Sequence, residues 1–214
     1  MTTEHAAHAN GHHHDHDHHQ HEPVDYAEAV EAYRADKDHY FKHGDGSPIP
    51  AAERDAFRGL AYFPVDRDLR FEERTLEPYI GTEPQRFAIP TSDGGLRPAH
   101  RAGSLRFELA GEPRSLAAYV LDDPSHVHER AAAVEDHPTL FVPFLDATSG
   151  TETYGAGRYL DIEPEDDGTY SLDFNVAYHP SCVHDPHFSC PLTPAENRLA
   201  ERIEAGERLP VEGS

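Results

Sequence analysis

The polar residues best suited to chemistry follow apolar, strand-like segments in the C-terminal third of the sequence. Asp146 ends the apolar run 139–145, Arg158 opens the next strand-like segment, and Asp173 and Asn175 alternate with apolar residues after that. A guanidinium near carboxylate and amide groups suits the recognition of a small polar or anionic molecule. The candidate ligand-binding residues are Asp146, Thr153, Tyr154, Arg158, Asp173, Asn175 and Tyr178.

Two other interpretations of the same residues stay open. Arg158 pairs with Asp146, Asp161 or Asp173 solely to hold neighbouring strands together, because buried charges usually occur in pairs. Alternatively, Asp146 or Glu152 is the carboxylate base of a hydrolase-like enzyme. The sequence contains no Gly-x-Ser-x-Gly elbow, phosphate-binding loop, dinucleotide fingerprint or His-Glu-x-x-His motif that would select a reaction.

The segment from Cys182 to Cys190 contains the only two cysteines of the sequence, together with His184 and His187. Two cysteines and two histidines suit tetrahedral zinc, although this spacing matches no common zinc finger. A disulfide between the cysteines and a pair of buried thiols that pack as small apolar groups are the other interpretations.

The first 24 residues are of low complexity and rich in histidine, which predicts a disordered tail. Dense neutral imidazoles bind Zn²⁺ or Ni²⁺ without a preformed fold. A metal-handling function is therefore an alternative to ligand binding in the folded part. An extension with incidental metal affinity is equally consistent with this composition. The candidate metal ligands are His12, His13, His14, His16, His18, His19 and His21.

The overall charge excludes some partners. The chain has 40 acidic and 18 basic residues, a formal charge of −22, and only two lysines. This balance is typical of proteins that stay soluble in concentrated salt, and it would repel nucleic acid. We find no apolar run long enough for a membrane span and no secretory h-region, so we expect a cytoplasmic protein without membrane or nucleic-acid partners.

The elements that must position these residues are mostly strands. Asp25 and Glu28 form a capping box before an amphipathic helix that should end near His43, and residues 50–57 indicate a short second helix. Residues 104–121 predict one β-hairpin, and 158–162 with 170–176 predict a second. We therefore expect one mainly-β (α+β) domain over residues 25–210, an antiparallel barrel or sandwich with one or two N-terminal helices.

Several motifs resemble those of an uncharacterised prokaryotic family catalogued as domain of unknown function 1684. They lie at 148–161, 172–178, 180–182, 190–199 and 205–208, with weaker similarity upstream to about residue 25. The resemblance implies no established activity. Its pattern includes the residues Asp146, Thr153, Tyr154, Gly157, Arg158, Asp173, Asn175, Tyr178, Cys182, Cys190 and Asn197. It does not include His184 or His187, and it has Asn where this sequence has His179.

Overall fold

The computed structural model describes residues 25–122 and 137–210, which form one α-helix and ten β-strands. The helix, α1, spans Tyr26–His43. The strands are β1 Ala61–Tyr62, β2 Arg70–Arg74, β3 Leu76–Pro78, β4 Arg86–Pro90, β5 Leu96–Leu109, β6 Glu112–Leu121, β7 Leu140–Phe144, β8 Arg158–Ile162, β9 Tyr170–Asp173 and β10 Glu207–Arg208.

Helix α1 begins and ends where its sequence predicts. The Asp25 carboxylate accepts a 2.9 Å hydrogen bond from the Ala27 N–H, and Glu28 lies in the first turn. This places a negative charge and an acceptor at the end of the helix that has unpaired N–H groups. At the other end, the Gly44 N–H donates to the Tyr40 carbonyl at 2.7 Å and the chain becomes extended.

The main sheet is antiparallel and contains six strands. Its order is β3-β5-β6-β7-β8, and β4 also pairs with β5. The predicted hairpin at 104–121 is confirmed, although β5 starts earlier, at Leu96. Ala110 and Gly111 form its two-residue turn with φ of 53° and 78°, the left-handed backbone that matches the twist of paired strands.

Two small antiparallel pairs complete the sheet structure, β1 with β10 and β2 with β9. The main core lies between one face of the main sheet and β2, β9 and the segment from Leu199 to Ala205. A second apolar cluster, around Tyr119, Phe141 and Tyr159, covers the opposite face of the main sheet. Strand β7 is therefore buried along its whole length, as its apolar sequence predicts.

Two expectations require correction. Residues 51–56 form consecutive turns, so α1 is the only α-helix in the described ranges. Strands β8 and β9 do not form a hairpin, because β8 pairs with β7 and β9 pairs with β2. The predicted mainly antiparallel β fold is confirmed in its sandwich-like form, because across residues 25–122 and 137–210 the sheets do not close into a barrel.

Within these ranges, no helix has both the length and the apolar character needed to cross a membrane.

Candidate functional site

Arg158 lies at the centre of a buried polar network. Its side chain is fully buried, and its guanidinium donates to the backbone carbonyls of Ile203 at 2.8 Å, Glu207 at 3.1 Å, and Ala205. The Asp146 carboxylate lies 3.5 Å away and is the counter-charge. Burial lowers the pKa of Arg158, and Asp146 opposes that shift. The network thus ties the start of β8 to the C-terminal segment.

The backbone before Arg158 requires glycine. Gly157 has a φ of 105°, and a Cβ at this position would lie 2.5 Å from the Phe144 carbonyl oxygen. Only glycine combines this conformation with such close packing. The turn therefore directs the chain so that Arg158 enters the interior at the first position of β8.

Asp146 is saturated with hydrogen bonds. It accepts from the Thr148 hydroxyl at 2.8 Å, the Thr148 N–H at 3.2 Å and the Ile203 N–H at 2.8 Å. The Thr148 hydroxyl also lies 3.0 Å from that of Thr153, and both threonines are fully buried. Three predicted ligand-binding residues, Asp146, Thr153 and Arg158, are thus brought together in the interior with protein groups as their partners.

Asp173 and Asn175 belong to a second, separate network. The Asp173 carboxylate accepts from the Tyr26 hydroxyl at 2.8 Å and lies 3.8 Å from Arg70. The sequence alternation predicts that Asn175 shares a strand face with Asp173. It does not, because a 3₁₀ turn starts at Phe174. Its side chain is fully buried and bonds the backbone of Asp66 in both directions, at 2.8 and 2.7 Å. This network joins α1 to β9.

The cysteine segment also has protein partners. The Cys182 N–H donates to the Cys190 sulfur at 3.3 Å, and the Cys182 thiol lies 4.0 Å from the Tyr154 hydroxyl. Both cysteines are free thiols, and burial raises the pKa of Cys190 to about 12. His184 packs edge-on against Phe41, whereas the His187 side chain is 92% exposed. Among the described residues, no group of three or more His, Cys, Asp or Glu is arranged to hold a metal ion.

The side chain of Glu152, one of the two candidate bases, joins neither network and forms an ion pair with Arg202 at the surface. The other candidate, Asp146, is 3% exposed and therefore inaccessible to a substrate in this conformation. The predicted metal ligands between His12 and His21 lie outside the described residues.

Tyr178 lies elsewhere, in a groove of about 630 Å³ between α1 and the edge of the main sheet at β8. We call this space the helix groove. Its lining residues are Tyr33, Asp36, Lys37, Tyr40, Phe41, Thr139, Asp161, Glu163, Val176 and Tyr178. Tyr178 is the one member of the predicted ligand-binding set that lines it.

The base of the helix groove holds one cation with a buried partner. The Lys37 ammonium lies 2.6 Å from the Glu207 carboxylate, and these side chains are 14% and 2% exposed. The same ammonium lies 4.6 Å from the centre of the Tyr178 ring and 5.5 Å from that of Phe41. The Tyr178 hydroxyl donates to Asp161 at 2.5 Å. Burial and the Asp161 charge raise the pKa of Tyr178, so this hydroxyl stays protonated.

His179 lies beneath the groove and was not predicted as a site residue. The backbone N–H of His179 donates to the Glu207 carboxylate at 2.7 Å, and the ring Nε2 accepts from the backbone N–H of Tyr154 at 3.3 Å. Nε2 is therefore an acceptor, which leaves the proton of the neutral ring on Nδ1, 3.7 Å from Glu207. Burial lowers the pKa of His179 to about 4, so the ring is neutral at pH 7. Its departure from the family pattern was the signal that could have identified it.

Helix α1 supplies half of the helix groove, and sequence analysis did not predict this. The contributing residues recur at spacings of three and four along the helix: Tyr33, Asp36, Lys37, Tyr40 and Phe41. That spacing is also typical of an ordinary packing face. The structure distinguishes this face from an ordinary packing face, because the large rings of Tyr33 and Tyr40 remain 44% and 41% exposed.

Comparisons with known proteins agree with the sequence motifs. The family model described as "Protein of unknown function (DUF1684)" matches residues 55–208. Among solved structures, the chain is similar to the solution NMR structure of the uncharacterized protein from gene locus rrnAC0354 of Haloarcula marismortui. The two are 39% identical with a TM-score of 0.61, over 88% of this chain and 96% of that one. No curated protein matches this chain.

Proposed function

We propose that this chain, which belongs to the family described as protein of unknown function (DUF1684), binds a small polar molecule in the helix groove. The observation that carries the proposal is the groove itself. Its volume of about 630 Å³ lies within the range of roughly 300–1,000 Å³ typical of small-molecule sites. Aromatic rings and a few charged groups line it, which is the usual composition of such sites.

The buried networks support this location over the interior around Arg158. Both the guanidinium and its counter-charge are sealed from solvent and occupied by protein groups. In the helix groove, by contrast, Asp36, Tyr40 and Glu163 are exposed to solvent. A ligand can therefore reach the groove without displacing a buried ion pair.

The test is an NMR titration of the full, ¹⁵N-labelled chain with three probes of different charge: benzyl alcohol, benzylamine and benzoate. At least one probe should shift the amide signals of Lys37, Phe41, Val176 and Tyr178 at millimolar concentration. The amide signal of Leu96, an exposed residue on β5 that does not line the groove, should not change.

A matched pair of variants shows whether such shifts arise in the groove. Asp36→Trp places a large side chain in the groove from an exposed position, and Glu28→Trp makes the same change at an exposed position of α1 that does not line it. Binding should be lost in the first variant and kept in the second. The proposal would be refuted if none of the three probes shifted these amide signals, or if both variants bound the probes equally.

A further inference from the structure

The walls of the helix groove have a composition that selects among ligand charges. Four aromatic rings line it, from Tyr33, Tyr40, Phe41 and Tyr178. The face of an aromatic ring carries partial negative charge and attracts cations within about 6 Å. Tyr33 and Tyr40 lie seven positions apart on α1, two helical turns, and are the most exposed rings of the set.

The ionised groups of the lining point to the same ligand charge. Among the described residues, the exposed carboxylates of Asp36 and Glu163 line the groove together with one ammonium, that of Lys37. The ammonium is neutralised from below, because the Glu207 carboxylate lies 2.6 Å away in the interior. A bound anion would therefore meet an excess of negative charge, whereas a bound cation would be attracted.

The structure already contains one ammonium group in contact with an aromatic ring of the groove, that of Lys37. The Lys37 ammonium lies over the Tyr178 ring at 4.6 Å and 2.6 Å from the Glu207 carboxylate. Lys37 is thus an internal example of an alkylammonium held between a ring face and a carboxylate. The rings of Tyr33 and Tyr40 offer comparable surfaces on the same side of α1.

We propose that the helix groove binds an organic ammonium ion, a quaternary or alkylated amine whose charge is spread over apolar methyl groups. This inference rests on the proposed function and adds the ligand class. A bare divalent ion fits poorly, because among the described residues no group of three or more His, Cys, Asp or Glu is arranged to hold a metal ion. An alkylated ammonium instead matches both the apolar ring faces and the surrounding negative charge.

The test compares two molecules of the same shape by calorimetry on the full chain. Choline carries a trimethylammonium group, and 3,3-dimethylbutan-1-ol has the same outline without the charge. Choline should bind about tenfold more tightly, equivalent to about 1.4 kcal/mol. Its affinity should fall as NaCl is raised, whereas that of the alcohol should not, because salt screens only the charged ligand.

Variants then separate the contributions of rings and carboxylates. Tyr40→Leu keeps apolar surface and removes the ring, so choline should lose about fivefold in affinity and the alcohol much less. Asp36→Asn should weaken choline about threefold and leave the alcohol unchanged. Glu28→Gln removes the same charge from α1 outside the groove and should change choline affinity less than about twofold.

Two results would overturn the inference. One is equal or tighter binding of 3,3-dimethylbutan-1-ol, and the other is preferential binding of the anion 3,3-dimethylbutanoate in the same groove. Either would leave groove binding intact and change only the ligand class. Failure of every probe, benzyl compounds included, would instead refute the proposed function and this inference with it.

Discussion

The buried pair of Asp146 and Arg158 gives the sharpest test of how this fold is stabilised. Replacing Asp146 by Asn removes the counter-charge from a guanidinium that is fully buried. If the amide oxygen keeps the bonds from the Thr148 and Ile203 N–H groups, which both reach Oδ2, the amide NH₂ replaces Oδ1 and faces the Arg158 guanidinium, donor against donor. Breaking a buried pair on one side costs about 3–5 kcal/mol, and we expect a value in this range.

Arg158→Met should be destabilising for a different reason. It leaves three backbone carbonyls without their donor and Asp146 without its counter-charge. The Asp146→Asn/Arg158→Met double variant, however, no longer contains an isolated buried charge. Its loss of stability should therefore be smaller than the sum of the single losses, by about 2 kcal/mol or more.

The assay is urea denaturation followed by circular dichroism, since the chain contains no tryptophan for fluorescence. The matched control is Glu152→Gln, which breaks the surface pair with Arg202 and should cost less than about 1 kcal/mol. A folded Asp146→Asn variant that loses no more stability than this control would refute the reasoning. Additive losses in the double variant would show that the two charges act independently.

Three further predictions follow from other parts of the molecule. His179 is neutral in the fold with a pKa of about 4, against about 6.5 when unfolded. The unfolded chain therefore binds the proton more readily, and the free energy of unfolding should fall by up to about 3 kcal/mol between pH 6.5 and 4. His179→Asn should remove that part of the pH dependence in urea titrations, and an unchanged pH profile would contradict the assignment. Asn197→Leu should lower the free energy of unfolding by about 3 kcal/mol, measured by thermal unfolding. The reason is that the buried amide bonds Ala117 and the Pro143 carbonyl and so bridges β6 and β7. A loss below about 1 kcal/mol would show that this bridge is dispensable. Removing residues 1–22 should abolish Ni²⁺ and Zn²⁺ binding measured by calorimetry, because the dense imidazoles lie there; unchanged stoichiometry would assign the metal affinity to the remaining chain.

Local signals in the sequence were sufficient for the elements that form by themselves. The Asp25 cap and Gly44 stop predicted α1, and the Ala110-Gly111 turn lies within the confirmed hairpin. Apolar composition alone predicted β7. In each case the interactions that determine the element lie within about twenty consecutive residues, so the element can be predicted without knowledge of its distant partners.

Pairings between distant segments could not be predicted in this way. Strand β9 pairs with β2, where Arg70 lies opposite Asp173, rather than with its sequence neighbour β8. Both strands of this pair are short, and nothing in either segment specifies the other. The acidic turn between β8 and β9 indicated a hairpin because a local connection is the default for consecutive strands.

The candidate site was partly predictable for the same reason. The sequence indicated that Arg158 would have a charged partner, and Asp146 was one of three named. It could not indicate the three carbonyls of the C-terminal segment, because backbone groups carry no sequence signature. The helix groove combines α1 with β8, more than a hundred positions away, so its ligand-binding character emerges only when the two elements meet.

The segment from Ile203 to Glu207 has a consequence for biosynthesis. Its backbone carbonyls occupy the guanidinium of Arg158, and its Glu207 side chain neutralises Lys37 on α1, near the other end of the chain. A ribosome-bound chain that has not yet exposed this segment lacks the three carbonyl partners of Arg158 and the carboxylate partner of Lys37. We therefore expect the nascent protein to reach its native packing only after residues 203–207 have left the exit tunnel.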